Sequence, residues 1–206
     1  MTKTAFSSPL RALALLATLV ASVLVAGCGV NNIPTYENAA KANWSEVLNQ
    51  YKRRSDLIPN LVETVKGFAE QEKSVLTDVV EARAKATQMT LPADILNNPA
   101  AMKQFQDAQS TLGGALGRLL AVIEKYPDIK SGQNFLALQS QLEGTENRIS
   151  VARRDYIESV RLFNTELVTI PGRWWKSFMY PASKEMATFE IPADEQKVPK
   201  VEFDKK

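Results

Sequence analysis

The chain predicts an all-α fold: an antiparallel up-and-down helical bundle of three long helices and one short C-terminal helix. Two observations carry this. Apolar residues recur at steps of three and four over three long stretches, the spacing that lines one face of a helix. Proline and asparagine separate those stretches, and no internal repeat, Gly-rich phosphate loop or β-rich run interrupts them.

The first stripe reads Trp44, Leu48, Tyr51, Ile58, Val62, Val65, Ala69, Leu76 and Val79, broken at Ser55, Glu72 and Arg83. Pro59 falls inside it. Proline lacks the N–H that would bond the Ser55 carbonyl, and its ring crowds that turn. The helix either kinks and continues or stops and restarts with Ser55 or Asp56 as N-cap. The stripe keeps its phase across Pro59, which favours a kink and a helix reaching about residue 88, roughly 70 Å long. If Pro59 only kinks it, the C-terminal tryptophans lie far from the chain's start. A reversal there would bring them back.

Residues 90–99 hold Pro92, Asn97, Asn98 and Pro99 and read as a loop. Asn98 as N-cap with Pro99 at the first helical position opens the second helix. Its stripe is Met102, Phe105, Ala108, Leu112, Leu116, Leu119, Ile123 and Tyr126, and Pro127 stops it. The third begins between Ser131 and Asn134. It runs Phe135, Leu138, Leu142, Thr145, Ile149, Ala152, Tyr156, Val160, Phe163, Leu167, closed by Pro171-Gly172. Such regular alternation suits long helices packed at a shallow angle. Trp174 to Tyr180 suffices for one short helix before Pro181. Residues 191–206 carry prolines and dispersed charges and read as an extended or disordered tail. Within it, Val198 to Phe203 alternates apolar residues and could add as a strand to a partner's sheet edge, although a solvated tail is the simpler reading.

The N-terminus describes a signal peptide. Lys3 and Arg11 precede the uncharged run Ala12 to Val25, and no acid occurs before Glu37. The 14-residue run is short for a membrane span, which needs about 20 residues. The string Leu24-Val25-Ala26-Gly27-Cys28 resembles a bacterial lipobox. That resemblance implies cleavage between Gly27 and Cys28 and acyl chains on Cys28, with palmitate among them. Cys28 is the only cysteine, so an intrachain disulfide is excluded. The expected organisation is a cleaved segment over 1–27, a lipidated cysteine and tether over 28–37, a bundle over 38–190 and the tail over 191–206. Gly at position 29, rather than Asp, implies outer-membrane sorting on the periplasmic side in a two-membrane cell.

Cleavage removes two cations and no acid, leaving 23 cations against 23 acids. A neutral domain offers little attraction to nucleic acid or to anionic lipid. Histidine is absent altogether. Ser-His-Asp and Cys-His catalysis, Cys/His zinc sites and Glu-x-x-His di-iron bundles are therefore excluded. The expectation is no metal, no cofactor beyond the covalent lipid, and no enzymatic activity.

Three strings resemble the LemA family. One is Tyr51-Lys52-Arg53-Arg54-Ser55-Asp56-Leu57-Ile58-Pro59-Asn60-Leu61-Val62 with Val65-Lys66-Gly67-Phe68. The second is Leu119-Leu120-Ala121-Val122 with Glu124 and Tyr126-Pro127-Asp128. The third is Asn134-Phe135, Leu138-Gln139, Thr145-Glu146-Asn147-Arg148-Ile149 and Ala152-Arg153-Arg154. The likeness spans roughly residues 40 to 190. It implies a four-helix-bundle-like fold and no established catalytic activity, and it favours a protein partner in the envelope. The chain departs from the family pattern in its lipobox, where many members keep a membrane helix, and at Ile170 to Trp175, where Phe-Pro-x-Asn is commoner.

The leading candidate site joins Arg53, Arg54, Asp56 and Asn60 to Glu146, Asn147, Arg148, Arg153 and Arg154 as a polar network or docking face. A purely structural network is the stronger alternative: the freed Ser55 carbonyl needs a donor, which an arginine or asparagine can supply. Glu124 and Asp128 are the best pair for a carboxylate-dependent hydrolase of cell-wall polymer, the competing function, yet they read as solvated acids at a helix end. Gly113 and Gly117 suggest close backbone contact within the bundle or local flexibility. Trp174-Trp175 either packs over the open end of the bundle or meets a membrane surface.

Overall fold

The computed structural model describes residues 13–14, 16–18, 29–68 and 71–189. The long elements are α1 (Asn32–Thr64), α2 (Lys73–Gln88), α3 (Pro99–Ile123) and α5 (Gln133–Val168), with short helices α4 (Pro127–Lys130) and α6 (Gly172–Phe178). Among the described residues there is no strand. The all-α bundle is thus the observed fold. α1 packs along α5, and α2 packs along α3.

α1 starts inside the stretch expected to be a tether. Asn32 N–H donates to Gly29 O at 3.0 Å, and Gly29 adopts φ +96°, a turn that glycine makes without strain. Ile33 is fully buried, so the first helical turn already belongs to the core. Pro34 is tolerated there because first-turn N–H groups have no intrahelical acceptor.

The helix passes through Pro59, as the phase of the stripe predicts, but ends at Thr64 rather than near residue 88. A 3₁₀ turn over Lys66–Phe68 follows, and the chain reverses before α2. The expected first helix is therefore two antiparallel helices, and α1 measures about 50 Å rather than 70. The stripe misleads because Ile58, Leu61, Val65, Leu76 and Val79 all bury in one apolar cluster on both sides of the reversal. Gly67, a weak helix former with open space around its Cα, marks the break.

The remaining boundaries follow local chemistry. The Asn98 side chain accepts from Ala101 N–H at 3.1 Å, with Pro99 opening α3. Pro127 opens α4 after α3 ends at Ile123. Tyr126 Oη donates to Glu72 Oε1 at 3.2 Å, tying that corner to the start of α2.

Beyond α6, residues 182–189 run back along the bundle. Asn164 donates to Met186 O and accepts from Met186 N–H, both at 2.9 Å, in the manner of a backbone pairing. Tyr156 Oη donates to Ala187 O at 2.7 Å, and Met186 and Phe189 are buried. The expected tail, 191–206, lies outside the described residues.

Gly172 at the α5–α6 corner is the one glycine that packing makes obligatory. A Cβ there would stand 2.1 Å from Glu166 O. Gly172→Ala is expected to destabilise the fold by about 1–3 kcal/mol through overpacking, read as a lowered urea midpoint with unchanged m-value.

Candidate functional site

The core is two apolar clusters. One gathers Ile33, Trp44, Tyr51, Phe105, Tyr156 and Phe163 near the start of α1; the other gathers Ile58, Leu61, Leu112, Leu119, Phe135 and Leu142 toward its end. Between them lies a polar layer. Four of the five buried polar residues among the described residues, Arg54, Ser55, Gln109 and Thr145, come from α1, α3 and α5 at this level, and α2 adds Arg83.

Arg54 is the centre, with only 3% of its surface exposed. Its Nη1 donates to Glu146 Oε1 at 3.0 Å. Its Nη2 donates to Gln109 O at 3.1 Å and Gln109 Oε1 at 2.7 Å. The guanidinium also lies 5.0 Å from the Tyr51 ring centre, a cation–π contact. Nε is buried without a protein partner. Glu146 is half exposed, so the ion pair is buried at one end only.

The donor that Pro59 calls for is Arg83. Its Nε donates to Ser55 O at 2.9 Å, the carbonyl left free by proline four residues on. Sequence reasoning requires such a donor but does not single out this residue, although Arg83 is visible there as a charge breaking the apolar stripe.

The remaining predicted residues divide. Arg153 is half-buried, with its guanidinium 4.6 Å from the Phe189 ring centre. Asp56 is exposed and pairs with Lys52 at 3.3 Å, and Arg154 pairs with Asp155 at 3.4 Å. Asn60 gives only its backbone carbonyl, to Thr64 Oγ1. Arg53, Asn147 and Arg148 are exposed. The nine-residue set therefore does not converge as one network: Arg54, Glu146 and Arg153 come together, and Gln109, absent from the set, completes them. Gln109 directly follows the stripe residue Ala108, so a polar residue beside a buried helix position was its only signal.

A cleft of about 400 Å³ opens beside this layer between α3 and α5, lined by Tyr51, Arg54, Gln109, Gly113, Glu146 and Arg153 among others. A second hollow of about 540 Å³ shares Gly113 and Glu146 with it and extends toward Leu120 and Leu142. Gly113 and Gly117 do not meet another backbone, contrary to the close contact expected of their spacing. A Cβ at Gly117 would meet nothing within 4 Å, and one at Gly113 would make only ordinary contact with Arg54 Nη1 at 3.7 Å. The glycines hold a groove open where a bundle would ordinarily close.

Burial raises the Tyr51 phenol above its ordinary value, against the opposing pull of Arg153 and Arg54, and burial alone raises Tyr156 further. A native state that holds these protons more tightly than the unfolded chain loses stability as pH rises past the unfolded phenol value, about 10. Denaturant midpoints are expected to be insensitive to these two groups up to about pH 9 and to fall above about pH 10. Tyr126 is raised as well, by burial and by its bond to Glu72, so phenolate absorbance should show Tyr51, Tyr126 and Tyr156 ionising above the ordinary phenol value.

Glu124 and Asp128 are exposed near the α3–α4 corner, where Glu124 pairs with Lys130. Neither lines the cleft.

Comparison with known proteins finds relatives over much of the chain. Magnetosome protein MamQ 2 and magnetosome protein MamQ 1 of Paramagnetospirillum magneticum are each 26% identical to the chain over 160 residues, covering 70% of it and 59% of the relative. Magnetosome protein MamQ of Magnetospirillum gryphiswaldense is 27% identical over 156 residues, covering 68% and 57%. The chain thus spans somewhat under three fifths of the length of these curated relatives. A family model for LemA matches residues 43–203, from within α1 to beyond the last described residue. The chain therefore belongs to the LemA family.

Proposed function

We propose that this protein is a membrane-associated envelope lipoprotein, held by acyl chains on Cys28, that works as a non-enzymatic helical module docking a protein partner. The membrane association is supported by the signal-like N-terminus and by relatives that are magnetosome proteins. Cys28 itself lies outside the described residues. Among the described residues, no helix is long and apolar enough to cross a membrane. By the lipobox reading, the protein faces the periplasm, with the outer membrane favoured in a two-membrane cell.

The observation that carries the docking role is the α3–α5 groove, with a buried guanidinium at its floor. Arg54 Nε is buried without a protein partner, and Glu146, paired with Nη1, is half exposed at the groove. A polar or acidic group on a partner would be received there by Arg54 and Arg153. Two carboxylates line the cleft, Asp107 and Glu146, and each is paired with a cation, Asp107 with Lys103 at 3.1 Å and Glu146 with Arg54 at 3.0 Å, which favours a binding role over acid–base work.

Photo-crosslinking in cells tests it, with the reactive residue at Ser110 or Asn147 beside the groove and at Lys52 as a control away from it. A discrete adduct from the groove positions alone, lost on Arg153→Glu, is the expected result. Equal labelling from all three positions would remove the docking reading. The mass of the Cys28 peptide from membranes reports the anchor directly.

A further inference from the structure

The chain's reversal after Thr64 settles which end of the bundle holds the C-terminal aromatic cluster. α5 runs antiparallel to α1, so its C-terminus returns to where α1 begins. Asn32 Nδ2 donates to Glu166 Oε1 at 3.3 Å, and a Cβ on Gly29 would stand 3.7 Å from Pro171 Cγ. Cys28 directly precedes Gly29 in the sequence. The α5–α6 corner is therefore beside the anchor.

The two tryptophans there behave differently. Trp175 packs against the apolar cluster, fulfilling the expected role over the open end of the bundle. Trp174 does not: it is 56% exposed. Phe178, one helical turn on and so on the same face, is 82% exposed, and Ile170 and Met179 are 66% and 55% exposed. Four large apolar side chains thus share one corner. Two cations flank them: from Leu167 to Ser183 the sequence has Arg173 and Lys176 and no acid, and Glu166, just before that stretch, is bonded to Asn32.

We infer that Ile170, Trp174, Phe178 and Met179 form a bilayer-docking patch that enters the lipid interface beside the acyl chains, with Arg173 and Lys176 on anionic headgroups. The inference rests on the Cys28 anchor proposed above. Tryptophan favours the headgroup level because its ring is apolar and its N–H polar. Cations flanking an apolar face add attraction to anionic lipid. The neutrality of the mature chain does not oppose this, because the charge is local. Anchor and patch together give two points of attachment, which fix the bundle's orientation and point the α3–α5 groove sideways along the membrane surface.

The test is tryptophan quenching in the full lipidated protein, reconstituted in phosphatidylcholine–phosphatidylglycerol vesicles with and without brominated acyl chains. Bromolipid is expected to quench the wild type, and Trp174→Phe, a change at an exposed position, is expected to lose most of that quenching. Phe178→Glu should restore Trp174 emission and open it to aqueous acrylamide. Trp174 quenched by acrylamide and untouched by bromolipid in the wild type would overturn the inference. So would shielding from both quenchers, which would mean that protein covers the patch. The acyl mass on Cys28, read from the same preparation, registers failure of the anchor separately.

Discussion

Arg54→Ala is expected to destabilise the bundle by about 3 kcal/mol, combining lost packing with acceptors left unpaired. The guanidinium touches all sides of the polar layer: Glu146 on α5, Gln109 twice on α3, and the Tyr51 ring on its own helix. Alanine leaves the Gln109 side-chain and backbone oxygens facing a void. Arg54→Met refills most of the volume but not the hydrogen bonds, so its cost should be smaller, about 1–2 kcal/mol. Glu146→Ala removes the other partner and strands a buried cation. The usual 3–5 kcal/mol for that change should fall to about 1–3 here, because Glu146 is half exposed and cleft water can replace it. Urea unfolding at neutral pH measures all three. If Arg54→Ala and Arg54→Met unfold alike, the layer contributes hydrogen bonds and charge rather than volume. A cycle pairing Arg54→Met with Gln109→Leu should recover part of the loss, since the unpaired acceptor goes with its donor.

A layer of this kind contributes specificity more plainly than stability. An apolar replacement of a buried ion pair is often neutral or better. Here the polar level divides the core into two clusters and assigns each helix one polar partner at one height. A one-turn slip of α5 against α1 would part Arg54 from Glu146 and leave the cation buried alone. The same level opens to the groove, so the residues that set the register also line the surface proposed to dock a partner.

The sequence made the helices legible and their connectivity less so. Burial sets the three- and four-residue spacing, so the stripes marked Trp44, Tyr51, Leu112, Tyr156 and Phe163 as core, and they are. The same spacing says nothing about chain direction. Val65 and Leu76 enter one cluster from opposite sides of a turn, and the periodicity reads through it. The Ser55 carbonyl illustrates a second limit. Proline chemistry shows that the carbonyl is free, but Arg83 reaches it only because the chain reverses, which local sequence did not reveal. The glycines of α3 mislead for a related reason: small residues permit close packing or an open groove, and only the placement of α5 decides between them.

Tyr156→Ala carries the largest expected effect, about 3–5 kcal/mol, because a fully buried aromatic ring leaves a cavity that its neighbours cannot fill. Trp44 meets it at a tilt and Phe189 edge-on, with ring centres 5.3 and 5.6 Å away. Tyr156→Phe keeps those contacts and removes only the hydrogen bond to Ala187 O, so about 1 kcal/mol should be lost. The two variants separate packing from pinning. The hydroxyl and Asn164 are what hold residues 182–189 to α5, and Asn97 adds bonds to Lys184 O and Glu185 O from the other side. Hydrogen exchange at Met186 and Ala187 should therefore quicken in Tyr156→Phe while α1 and α3 stay protected. If exchange quickens everywhere in equal measure, the returning segment opens only with the whole bundle. If it quickens there alone, the segment is a separate unit. Phe189 would then leave the Arg153 guanidinium, and Arg153 would be released into the groove.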